Sequence, residues 1–382
     1  MARFGFLTYP YPVIYDLSCW EYRKGSKLVP RIFDNIEKDL LPASLISELK
    51  MRLLAQETRY TKYGEVRPII HADFDGYKIV AVGSTLYYSK NWKTFIDFLM
   101  EFIKFILGKN WGKAELSKPL ASRHEIMKWY DGMCRFQKKQ AKGMDGLFGT
   151  VPNGPMLSYL LLSYDLYTLC HDNAIQESLI SRLRNKDQFQ GARHELFTAA
   201  TCIRAGCKIE YENEADRTKK HAEFTATHRP TGQKILVEAK SRKRPGVLGY
   251  TGTRISDDKI RLRVTRLLNT ALLKAPNMPL VVFLDLNIPP LSVRLFEMPW
   301  IERINKTLDR VEQLSEGNNR YNLVVLSNMP FYYDESDNPS PRGDILSIVA
   351  KNPLFPASNP EALLAIHDAA NKFGNIPNNY EE

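Results

Sequence analysis

The sequence predicts an α/β protein with a separate α+β unit in front of it. Two observations carry this. Residues 188–286 run in the order helix, three short strands, helix, buried strand, with apolar residues recurring every three or four positions in the helices and every second position in the short strands. Residues 143–155 then set Gly143, Gly146, Gly149 and Gly154 among Pro152 and Pro155, which marks a boundary between an accessory part, residues 1–145, and a main domain, residues 156–382. A chain of 382 residues suits that division, because single cores stop growing near roughly 250–300 residues.

In the first part, residues 40–58 read as a helix, residues 69–74 and 78–88 as a hairpin turned at Asp75-Gly76, and residues 92–107 as an amphipathic helix. His71, Asp73 and Asp75 fall on that hairpin, and they read as strand and turn residues rather than as metal ligands. Beyond the break, a helix starts at Met156, and Tyr159, Tyr164 and Tyr167 share its apolar spacing with Leu160, Leu161 and Leu166. These tyrosines read as core. A second helix covers residues 188–205, strands lie near 208–211, 221–227 and 234–240, a helix covers 257–273, and buried strands follow at 280–286 and 322–326. The proline-rich stretch 339–360 reads as irregular.

Composition narrows the class. With 44% hydrophobic and 25% charged residues the chain suits an ordinary globular protein, not a disordered or collagen-like one. Five cysteines, odd in number and without a CxxC spacing, suggest neither a disulfide framework nor a zinc ribbon. They read as reduced intracellular thiols. The apolar stretches near 95–107 and 156–170 are broken by Asp97, Glu101, Lys104 and Asp165, so neither reads as a spanning helix, and Pro10 and Pro12 argue against a secretory segment. A cytoplasmic location without a membrane partner is expected. No GK[ST] loop and no GxSxG elbow is present.

The net charge is +10, and residues 181–266 hold 20 Lys and Arg against 10 Asp and Glu, while the rest of the chain is balanced. Clustered cations of this kind call for phosphate, so nucleic acid is the expected partner. Arg242, Lys243 and Arg244 are the candidate contacts nearest the chemistry.

That chemistry sits in residues 221–240. Alternation puts Phe224, Ala226, Ile235, Val237 and Ala239 on core faces, and His221, Glu223, Thr225, Thr227, Lys234, Leu236, Glu238 and Lys240 on the opposite one. In Arg229-Pro230-Thr231-Gly232, Pro stands second and Gly fourth, the preference of a type I turn. A turn centred on Pro230-Thr231 sets Glu223 opposite Glu238 and His221 opposite Lys240. Facing carboxylates repel unless a cation lies between them, and their oxygens suit a hard ion, Mg²⁺ or Mn²⁺. Lys240 shares the face and can orient a water or stabilise charge on a phosphate. Glu195, on the flank of the apolar side of its helix, can reach toward the sheet.

Together, Glu195 on a helix, Glu223 on one strand and Glu238-Ala239-Lys240 on the next resemble the helix carboxylate and PD…(D/E)xK signature of the restriction-endonuclease-like nuclease superfamily, with Ala222-Glu223 where that family has Pro-Asp. The resemblance covers about residues 188–286 and implies an αβββαβ core. It further implies a metal-dependent phosphodiesterase in which Glu223, Glu238 and the Ala239 carbonyl hold the metal, Lys240 serves the water, and Glu195 assists or binds a second ion. Such an endonuclease would act on DNA, in defence against foreign DNA or in DNA processing, alone, as a homo-oligomer or with a helper protein. His221 and Arg242 to Arg244 would then face the nucleic acid. The other class consistent with the sequence is a noncatalytic nucleic-acid-binding or partner-binding module on the same fold.

Overall fold

A computed structural model of the chain describes residues 3–5, 43–140, 147–211, 223–253, 264–273, 277–288, 299–314, 319–334, 336–341 and 343–381. After β1 (Arg3–Gly5) and α1 (Ala43–Tyr63) comes an antiparallel meander of β2 (Ile70–Phe74), β3 (Tyr77–Val82) and β4 (Thr85–Ser89). Its first turn is the expected Asp75-Gly76, with φ of 47° and 73°, the positive values that a type I′ hairpin requires. Gly83, at φ 57°, makes a second turn inside what the sequence reads as one strand.

Helix α2 (Phe95–Ile106) begins with a capping box: Thr94 Oγ1 accepts from the Asp97 N–H at 3.2 Å, and Asp97 Oδ2 accepts from the Thr94 N–H at 2.9 Å. Helices α3 (Lys109–Leu116) and α4 (Glu125–Gln140), strand β5 (Leu147–Gly149) and helix α5 (Gly154–His171) follow. Then come α6 (Glu177–Arg184), α7 (Phe189–Arg204), β6 (Cys207–Tyr211), β7 (Phe224–His228), β8 (Lys234–Ser241), α8 (Val264–Leu272), β9 (Leu280–Asp285), α9 (Pro299–Leu314), β10 (Leu323–Asn328), β11 (Asp344–Val349) and α10 (Glu361–Asn371).

The main sheet has the order β11-β10-β9-β8-β7-β6. Strands β6, β7 and β8 are antiparallel, β8, β9 and β10 are parallel, and β11 returns antiparallel to β10. Strand β11 lies in the stretch that the sequence reads as irregular. All six of its residues are half-buried at the sheet edge, so no contrast of period two marks it in the sequence.

Parallel strands need cover on both faces, and the molecule supplies it. One buried cluster joins Phe224, Ala226, Ile235, Val237 and Phe283 of the sheet to α2, α4, α5, α7 and α10. The other packs Leu236, Val282 and Leu284 against Val264 and Leu268 of α8 and Ile304 and Leu308 of α9. Among the described residues, the first cluster has members on both sides of residues 143–155, from Val80 to Tyr380. Helices α4 and α5, on either side of the expected boundary, meet so closely that a Cβ on Gly132 would lie 2.8 Å from Pro155 Cβ.

No helix among the described residues is long and apolar enough to cross a membrane. Asp165 shows why the apolar α5 carries an acid: buried with Arg193 and Arg204, it accepts from them at 2.7 and 2.9 Å. Tyr159, Tyr164 and Tyr167 are core, as expected.

Candidate active site

Strands β7 and β8 pair Phe224 with Val237, Thr225 with Leu236, Ala226 with Ile235 and Thr227 with Lys234, which is the register expected from the turn. The loop itself is one residue wider on each side. His228 N–H donates to Gln233 O at 2.9 Å, and Gly232 N–H, at φ +69°, donates back to His228 O at 2.8 Å. Glu223 continues the ladder, its N–H donating to Val237 O at 3.2 Å.

The register gathers four of the predicted groups. Lys240 Nζ lies 3.4 Å from Glu223 Oε1 and 3.1 Å from Ala239 O, and it contacts Glu238 Oε1 directly. Glu238 is fully buried, whereas the Glu223 and Lys240 side chains keep about a fifth of their surface exposed, 21% and 22%. The polar face is therefore not open along its length. Leu236 and Glu238 lie in the layer covered by α8, and the end carrying Glu223 and Lys240 reaches solvent. Burial alone would depress the Lys240 pKa, but Glu238 and then Glu223 outweigh it and raise the value.

Glu195 of α7 lies near this cluster without joining its contacts with Lys240. Its carboxylate forms a two-pronged pair with Arg182 of α6, at 2.7 Å to Oε1 and 2.5 Å to Oε2. Burial pushes its pKa up, Arg182 opposes, and the neighbouring Glu223 charge adds to the rise. Among the described residues no three His, Cys, Asp or Glu side chains form a metal-holding group by themselves. A metal would use the Ala239 carbonyl as its third oxygen.

Comparison with protein-family models, curated proteins and solved structures finds no match for this chain.

The segment after Lys240 corrects the expected basic patch. Arg244 is buried, with its guanidinium donating to the main-chain oxygens of Leu286, at 3.2 Å, and Asn287, so it holds the end of β9 rather than facing outward. Lys243 is exposed, with its ammonium 5.9 Å from the centre of the Tyr250 ring. Arg242 is half-buried, and its main-chain N–H donates to Asp285 O at 3.1 Å. His221 lies outside the described residues. Arg182, Arg193, Arg204 and Arg229, all inside the positive stretch, are likewise engaged by acids of the fold. Among the described residues, these four cations are spent on internal pairs.

Several supporting residues are not foreseen in the sequence. Gln190 of α7 accepts from Arg244 N–H at 2.9 Å and donates to the carbonyls of Arg244, at 2.9 Å, and Val247, at 2.5 Å, fixing the strand exit behind Lys240. Asp285 closes β9, accepting from Ser241 Oγ at 2.9 Å and from Asn287 N–H at 3.0 Å; burial raises its pKa. Beside it, burial lowers the pKa of His194.

Proposed function

We propose that the protein is a divalent-metal-dependent nuclease whose centre lies at the solvent end of β7 and β8. One observation carries this reading: oxygens of Glu223 and Glu238 and the Ala239 carbonyl all approach a single cationic atom, Lys240 Nζ. An all-oxygen set of this kind fits a hard ion such as Mg²⁺ or Mn²⁺, held by Glu223, Glu238 and the Ala239 carbonyl. When bound, such an ion polarises a phosphoryl oxygen and acidifies water.

Lys240, on its flexible four-carbon stem, would keep a positive charge beside the phosphate and could orient the attacking water. Glu195, whose pKa is raised, would take a proton more readily than an ordinary carboxylate if it swings from Arg182. The connectivity supports the same reading. Helix α7, three antiparallel strands, helix α8 and a strand parallel to the third follow the αβββαβ order of restriction-endonuclease-like nucleases. DNA is the substrate we assign, in foreign-DNA defence or DNA processing, with Lys243 on the approach.

The test is incubation of the purified chain with plasmid DNA, single-stranded DNA and RNA, with Mg²⁺, with Mn²⁺ and with chelator. Cleavage should require metal and disappear in Glu238→Ala. Cleavage that survives excess chelator, or a fully active Glu238→Ala, overturns the site. Salt-sensitive binding without cleavage under any condition would favour the noncatalytic module instead.

A further inference from the structure

We propose that the protein carries a second anion site, a phosphate-binding cleft at the end of the main sheet remote from Lys240. Residues 65–69, the C-terminal turns of α5 and α7 and the β7–β8 turn enclose it, and Arg59, Arg67 and Arg229 all line it. Asp172 fixes two of these arginines. Arg229 Nη2 donates to both Asp172 oxygens at 2.8 and 2.9 Å, and Arg67 Nη2 lies 3.0 Å from Oδ1. A guanidinium has about five N–H donors, so donors remain on both. Arg59 pairs with no acid among the described residues. Against the three arginines stand the lining acids Glu65 and Asp172, an excess of one positive charge.

A second observation points to a ligand. His171 also lines the cleft; it is 7% exposed, and its ring approaches the Pro68 backbone. Tyr167, stacked on it with ring centroids 5.2 Å apart, is 4% exposed and its hydroxyl is unpartnered. A buried donor without a partner is costly, so the Tyr167 hydroxyl calls for something to receive it. Burial, aided by Arg67, lowers the His171 pKa, and the Pro68 backbone and Asp172 oppose it. The cleft offers about 30 Å³ to water-sized groups, roughly two to three times what one water needs. A water would satisfy Tyr167 but not the excess charge. A phosphate group would satisfy both, and the arginine forks match its geometry.

This cleft is distinct from the candidate active site. Glu223 precedes β7 and Arg229 follows it, so at about 3.3 Å per residue the two are roughly 20 Å apart. The phosphate held here would not be the one being cleaved. It would come from a free nucleotide or from the end of a nucleic-acid strand.

Calorimetric titration of the full chain, in chelator, with inorganic phosphate, adenosine monophosphate and a short oligonucleotide with and without a 5′-phosphate tests this. Saturable phosphate binding is expected. Arg59→Gln should melt like the parent and bind about tenfold more weakly, the scale of one lost charge-assisted hydrogen bond; Arg67→Gln with Arg229→Gln should abolish binding. A 5′-phosphate that tightens oligonucleotide binding beyond adenosine monophosphate identifies a strand end, and equal affinities identify the nucleotide. No saturable binding by the parent, binding unchanged in Arg59→Gln and in the double variant, or binding lost in Glu238→Ala overturns the proposal. Chelator and Glu238→Ala keep this outcome separate from the nuclease reading.

Discussion

Glu238 is buried against Lys240, and removing one partner of such a pair leaves a desolvated charge, at about 3 kcal/mol or more. Lys240→Met should therefore unfold earlier than the parent in chelator. With no ammonium competing for the oxygens, Mg²⁺ or Mn²⁺ should raise its melting temperature more than the parent's. Thermal unfolding across a metal titration checks this, and equal shifts in both proteins would remove Glu223 and Glu238 as ligands. The raised Lys240 pKa makes the pair's contribution complete below about pH 10.4, the unfolded value, and lost as pH climbs through the folded one.

His124 gives the opposite limb. Burial lowers its pKa from 6.5 to about 4, so the unfolded chain binds its proton first. Stability then falls between pH 6.5 and about 4, by on the order of 3 kcal/mol. His124→Leu should flatten that decline in denaturant titrations at successive pH values, and an unchanged slope would assign the decline to other groups.

The hairpin of β7 and β8 shows what was legible at the scale of elements. Pro230 and Gly232 fix where the chain reverses, and widening the loop by one residue on each side, to His228 and Gln233, leaves the register unchanged. Glu223, Glu238 and Lys240 were therefore readable together from local chemistry. Arg182, Gln190 and Asp285 were not, because their partners lie 13, 54 and 44 residues away and no spacing rule links such positions. Gly232→Ala tests the loop: nothing lies within 4 Å of the added Cβ, so only the positive φ opposes it. A loss of about 1 kcal/mol is expected in urea unfolding, with metal binding retained. A neutral effect would mean that the loop readily adopts another turn.

For the molecule as a whole, the decisive feature is the α4–α5 joint. The glycines and prolines of residues 143–155 suggest a linker, yet Trp129 and Met133 of α4 share one buried cluster with Tyr159 and Leu160 of α5 and with the sheet beyond. A sequence reveals where a chain can bend but not which faces meet after the bend. If the joint is core, the chain unfolds in one step: in a Trp300→Phe background, which leaves tryptophans only in the first part, fluorescence should follow the same urea transition as far-ultraviolet circular dichroism of the whole. Gly132→Ala sharpens the test. On an exposed helix this change gains about 1 kcal/mol, but here the methyl would lie 2.8 Å from Pro155 Cβ and must push the two helices apart. It should instead lower the stability by about 1–3 kcal/mol, as overpacking does, and move the midpoints of both probes together. A stabilised variant, or two transitions of which the mutation shifts only the tryptophan one, would mark a separate N-terminal domain.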